Sequence, residues 1–163
     1  MKKIFFTVYL FASQFILQAQ THKIGENFGG GIVFSITADS LHGLITETID
    51  QSKKACDWNE ALIAIQEVQN HSEEGKIFND WRLPTIDELN LIYLNLRIKN
   101  LCSTLISVCF QGDYYWSSSD YIYTDPETGD KGYNFAWYLQ FSDGKRDWTA
   151  MGNANSVRAV RGF

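Results

Sequence analysis

The sequence predicts an α+β domain, and three observations carry that prediction. Two segments repeat their apolar residues at helical spacing, 57–68 and 85–96. A strand pair precedes them, and a set of aromatic, alternating strands follows. Strands grouped at both ends around central helices read as α+β rather than as an alternating βαβ chain.

The first nineteen residues stand apart from that domain. Lys2 and Lys3 form a short positive segment, Ile4 to Leu17 is an apolar run, and Ala19 is the small residue preferred before a signal-peptidase cut. We read residues 1–19 as a signal peptide, 20–28 as a short tail and 29–163 as the domain. The apolar run falls short of the roughly 20 residues a membrane span needs, so cleavage leaves no membrane span. The expected setting is extracellular, cell-surface or periplasmic.

Composition narrows the class of partner. The full chain has 14 Lys and Arg against 19 Asp and Glu; losing Lys2 and Lys3 leaves 12, a net charge of −7. A surface of that sign does not suit nucleic acid, which needs clustered cations. The three cysteines are Cys56, Cys102 and Cys109. In an oxidising compartment one pair can form. Cys102 and Cys109, close together in a loop-like stretch, are the first choice, with Cys56 left over and buried. No CxxC occurs and the spacing fits no zinc site.

The elements follow in order. Gly29, Gly30 and Gly31 lead into a strand over Ile32–Thr37; no helix start follows them, so a phosphate loop is excluded. His42–Thr48 reads as the second strand, after a turn near Ala38–Leu41. Asp57 caps a first helix whose apolar face holds Trp58, Ala61, Leu62, Ile65 and Val68. Thr85 and Glu88 form the T-x-x-E box of a second helix, with Ile86, Leu89, Tyr93 and Leu96 on its face. Tyr114–Ser118 is a short strand, Asp120–Gly132 a polar excursion, and Tyr133–Ser142 an alternating strand. Ser142–Gly144 turns the chain into a loop through Asn155, and Val157–Arg161 is the last strand.

Arg82, Arg158 and Arg161 each follow an apolar residue in a half-buried segment. Interior guanidinium groups need carboxylates, and Asp80, Asp87 and Glu88 are the expected partners. Trp81, Arg82, Thr85, Glu88, Trp116, Trp137, Arg158 and Arg161 are therefore read as structural. Trp58, Trp116, Phe135, Trp137 and Phe141 sit at core spacing. The aromatic residues assigned to loops, Tyr121, Tyr123 and Trp148, are the candidate ligand contacts, with Arg146 and Asn153 beside them, because binding residues concentrate on loops. The acidic residues Asp120, Asp125, Glu127 and Asp130 read as turn chemistry rather than a calcium site. His22 falls in the tail, and no histidine pairs with a nucleophile. No cofactor, metal or catalytic set is expected.

These residues also carry a family resemblance. Asp80-Trp81-Arg82-Leu83-Pro84-Thr85 with Glu88-Leu89 resembles the DWRLPT-x-x-EL signature of the Lcl C-terminal domain family of bacterial surface proteins. GGGIVF at 29–34, His42-Gly43-Leu44, Tyr115-Trp116-Ser117-Ser118-Ser119, Ala136-Trp137 and the terminal VRAVR at 157–161 resemble its other landmarks, in order. The family is similar to Fibrobacter paralogous surface domains and to formylglycine-generating enzymes. The resemblance implies a C-type-lectin-like fold: two helices on twisted antiparallel strands, with the termini close together. It also implies an adhesin-like binding role toward a glycan or other cell-surface polymer. A protein-interacting envelope subunit is the alternative. The late cysteine pair of the formylglycine-generating enzymes is missing after the YWSSS string, so that enzyme activity is not expected. The calcium-lectin strings EPN, QPD and WND are absent, and a charge of −7 works against a polyanionic ligand. Amino-terminal sequencing of the exported product should begin at Gln20; a product retaining Met1 would refute the leader.

Overall fold

The computed structural model describes residues 20–99, 110 and 112–163. The leader and both Cys102 and Cys109 lie outside the described residues, and so does the pairing expected between those cysteines. Cys56, expected to be buried, is half-buried and has no disulfide partner among the described residues.

The architecture is α+β with two antiparallel sheets. Strands β1 (Asn27–Phe28), β2 (Gly31–Ile36), β3 (Gly43–Glu47) and β7 (Val160–Gly162) form a four-stranded sheet in the order β1-β2-β3-β7. Strands β4 (Tyr114–Thr124), β5 (Lys131–Gln140) and β6 (Arg146–Ala150) form a three-stranded sheet in sequence order. Helix α1 spans Trp58–Gln66, and α2 spans Ile86–Ile92 before widening into a π turn over Tyr93–Arg97.

Each helix starts where its local chemistry dictates. The Asp57 side chain accepts from the Glu60 backbone N–H, and Glu60 reaches back to the Asp57 N–H. Thr85 and Glu88 make the same reciprocal pair for α2. Both ends satisfy donors that a helix start otherwise leaves open. The apolar face expected for α1 is narrower than its spacing suggested. Ala61 and Ile65 are buried, but Leu62 is exposed within α1, and Val68 is exposed beyond it, where the chain has left α-geometry.

The glycine triplet is structural. Gly29 has φ +57°, and a Cβ there would come within 2.7 Å of Ile45 and 2.9 Å of Arg161. A Cβ on Gly31 would collide with the Thr46 carbonyl across the β2–β3 pairing. The triplet therefore lets β2 lie tight on its neighbour.

Both faces of β2 are covered. Ile32 and Phe34 pack with Leu89, Ile92 and Leu96 of α2, together with Tyr115, Leu139 and Phe141. Val33 packs on the other side with Ala61 and Ile65 of α1, Trp81, Trp116, Val157 and Ala159. The continuous apolar run in β2 follows from this double burial. The indole N–H groups of Trp81 and Trp116 donate to the carbonyls of Gly75 (2.9 Å) and Cys56 (2.8 Å), as buried tryptophans require.

Two expectations at the amino-terminal end are corrected. The stretch 20–28 belongs to the folded body: it contains β1, and His22 is buried against Phe28 and Phe163, with ring centroids 3.9 and 4.9 Å away. The described ends of the chain thus meet. The tail reading failed because residues 21–27 are mostly polar, while their anchor, Phe163, is remote in sequence.

The C-terminal segment joins the two sheets. Asn155 exchanges backbone hydrogen bonds with Cys56, and Ser156 with Tyr114 and Trp116. The Val157 and Ala159 carbonyls accept from Gln51 and Glu47, and Val160 pairs with Arg82. Inside it, Arg158 is 1% exposed. Its guanidinium meets Asp50 at 2.7 Å, donates to the Glu47 carbonyl at 3.0 Å and stacks 4.3 Å from the Phe110 ring. Tyr115 donates to the same Asp50 at 3.0 Å.

Among the expected acidic partners, Asp80 takes Arg161 (2.7 Å) and Glu88 takes both ends of the Arg82 fork (2.7 and 2.6 Å). Asp87 instead meets Arg146. Arg161 also donates to the Gly29 carbonyl and lies 3.9 Å over Phe78. Arg82 departs from its half-buried reading, since its side chain is 47% exposed.

Removing Arg158 leaves Asp50, whose side chain is 12% exposed, beside Tyr115 without its counter-charge. Arg158→Ala should cost roughly 3–5 kcal/mol, whereas Arg161→Ala, whose partner Asp80 is half in solvent, should cost about 1–2 kcal/mol. Chemical denaturation measures both; equal losses would contradict this ranking. A pH effect follows from Glu88. Burial pushes its carboxyl up, but Arg82 and the Thr85 backbone N–H outweigh burial and hold it below the usual range. Its stabilisation is thus complete above the unfolded value of about 4.3 and is lost as pH falls below it. Melting temperature against pH should fall less steeply on the acid side in Glu88→Gln than in the parent.

Candidate binding surface on the three-stranded sheet

The three-stranded sheet differs from its sequence-based reading in two places. The hairpin is longer than expected: β4 runs on to Thr124 and β5 begins at Lys131, so the polar excursion shrinks to a short turn. There Asp125 accepts from the backbone N–H groups of Thr128 and Glu127, which hold its carboxyl below the usual range. The segment expected to be a loop after Gly144 contains β6, paired along β5 from Leu139↔Arg146 to Phe135↔Ala150. Tyr121, Tyr123 and Trp148 therefore sit on strands, not loops.

Register decides which side chains meet. Tyr121 lies opposite Phe135, and Trp137 opposite Trp148, so these four share a face. Tyr121 stacks on Trp148 with centroids 4.6 Å apart and meets Trp137 edge-on at 5.4 Å. Phe135 meets Trp148 edge-on at 5.2 Å, and Tyr123 lies 5.6 Å from Trp148. All five rings are half-buried. Phe135 and Trp137 were expected in the core; they lie in this cluster instead, outside both core groups. Leu139, two residues on from Trp137, is covered by α2 and fully buried. Beyond that cover, the aromatic rings pack mainly on each other.

The candidate contacts divide between the two faces. Arg146 lies at the α2 end of the aromatic face, exposed and paired with exposed Asp87 at 2.8 Å. Asn153 lies on the opposite face, where its amide donates to Thr149. Thr149 pairs with Ala136, and Asp147 with Tyr138, so their side chains point away from Trp148. On this second face Tyr114, Tyr138, Thr149, Asn153, Ala154 and Asn155 line a cleft of about 250 Å³. The Tyr114 and Tyr138 rings meet edge to face at 5.5 Å. Burial, reinforced by Asp147, raises the Tyr138 phenol above its ordinary range, so it stays protonated at neutral pH.

Tyr114, Tyr138 and Asn155 were not singled out from sequence. The Asn155 side chain is the least visible of them: it is 7% exposed, and its Nδ2 has no hydrogen-bond partner among the described residues. Among the described residues no group of three or more His, Cys, Asp or Glu is arranged to hold a metal ion. None of the helices among them is long and apolar enough to cross a membrane.

No curated protein matches the chain. A family model does: that of the Lcl C-terminal domain matches residues 35–161. The matched span runs from the end of β2 into β7 and contains both helices and the whole three-stranded sheet. Matched over most of its length, the chain belongs to the Lcl C-terminal domain family.

Proposed function

We propose that this protein is an exported, non-catalytic binding module of C-type-lectin-like fold, which presents its three-stranded sheet to a glycan or another cell-surface polymer. The observation that carries the reading is the cluster of Tyr121, Tyr123, Phe135, Trp137 and Trp148. These five half-buried aromatics lie on one sheet face, outside the two cores. Aromatic faces attract the C–H faces of sugars, and the phenol and indole edges supply polar handles. The sheet also holds the rings rigidly, which limits the ordering cost of binding. A protein partner is the second reading. It is favoured by Ile122 and Tyr133, 49% and 64% exposed on the same hairpin.

A glycan array probed with the exported protein separates the two. Glycan signal is expected, and Trp148→Ala and Tyr123→Ala should each lower it at least tenfold, with Trp148→Phe as the control for folding. Unchanged binding in both alanine variants would reject the aromatic face, and no glycan signal would reject the glycan reading.

A further inference from the structure

The second face of the three-stranded sheet carries a site of its own. Its cleft mixes two tyrosine rings with hydrogen-bonding side chains, where the opposite face carries the aromatic cluster. Asn155 is clamped by two backbone hydrogen bonds to Cys56, each 3.0 Å, so its side chain is presented from a rigid position. A buried amide N–H without a partner costs roughly 1–3 kcal/mol, and native proteins keep few such groups. Here the unpartnered Nδ2 is itself sealed behind the cleft wall, so contact with a ligand falls to the side chains in front of it.

The neighbouring groups complete a hydrogen-bonding set. Asn153 donates to the Thr149 hydroxyl oxygen, which leaves the Thr149 O–H and the Asn153 carbonyl available. Tyr114 and Tyr138 add apolar ring surface, and the protonated Tyr138 hydroxyl is a further donor. No Lys or Arg lines the cleft; the nearest lysine along the strand, Lys145, is already held by Asp147 at 2.8 Å. Lys145 and Asp147 both act on Tyr138 but are paired with each other, so they offer an anionic group placed here little net attraction.

Resting on the glycan reading, we propose that this cleft is a subsite for one neutral sugar residue. The tyrosine rings take its C–H surface, and Thr149 and Asn153 exchange hydrogen bonds with its hydroxyl or acetamido oxygens. The subsite selects against sulfated or carboxylated sugars because nothing in its lining balances their charge.

The test is an amide-resolved NMR titration of the exported protein. The probes are neutral cello-, malto-, manno- and chito-hexaose, with a heparin hexasaccharide as the anionic comparison. At least one neutral probe should shift the backbone signals of Thr149, Asn153 and Ala154 and the side-chain amide of Asn155, saturably. Asn153→Ala and Tyr138→Ala should each weaken that binding at least tenfold. Asn153 is exposed, so its variant tests the site even if Tyr138→Ala fails to fold. Shifts confined to the Tyr121 and Trp148 face, or shifts with heparin alone, would overturn the subsite and leave the glycan reading standing. No cleft shift with any probe overturns the subsite whatever the array shows; a blank array as well would overturn both.

Discussion

The buried guanidinium of Arg158 is the constraint on which the rest of the molecule depends. A cation at 1% exposure is tolerable only where its charge and donors are met. Asp50, the Glu47 carbonyl and the Phe110 ring meet them here. Asp50 lies just past the end of β3, and its other contact is Tyr115 of β4. The one ion pair thus ties the four-stranded sheet, the three-stranded sheet and the C-terminal segment to a common point. Burial also raises the Tyr115 phenol, so that it keeps its proton and its hydrogen bond to Asp50 at neutral pH.

The consequence for the binding surface is a division of labour along β4 and β5. Where the two strands pass between the helices, their residues belong to the cores: Tyr115 and Leu139 toward α2, Trp116 and Ala136 toward α1. Beyond the helices the same strands continue as a hairpin whose side chains have no helix to pack against. The aromatic cluster covers one face there, while the tyrosine-lined cleft lies on the other face nearer the core, where Tyr114 opens β4 and Tyr138 pairs with Trp116. Stability comes from one end of the sheet, which leaves the other end free to carry side chains chosen for a different purpose.

How much of this was legible depended on sequence distance. Both capping boxes were readable, because Asp57 with Glu60 and Thr85 with Glu88 are each three residues apart. Arg82 with Glu88 and the core positions of α2 follow from the same local pattern. The partner of Arg158 was not readable: Asp50 is 108 residues away, in a turn with no regular period. Strand β6 was missed because Arg146, Asp147 and Lys145 make its sequence look like a loop, and its pairing with β5 is what makes it a strand. The hairpin was cut short because Asp120 and Asp125 look like turn residues, though only Asp125 forms the turn. Tyr121, Tyr123 and Trp148 were grouped from their aromatic character, and the structure brings them together through register rather than through loops. Asn153 parted from them because alternation along β6 and the turn after it put it on the other face.

The threading of residues 155–160 between the two sheets also has a kinetic meaning. Every strand before them could pair locally in a hairpin, yet the sheets have no common seam until these late residues arrive. Contacts such as Glu47 with Ala159 and Arg82 with Val160 close very long loops, and loop closure of that kind slows folding. A nascent chain short of Val157 would hold two half-cores with exposed apolar faces, a state prone to aggregate. The domain should therefore commit to its native form only once the strand at Val160–Gly162 is in place, however much of the sheets has formed before it.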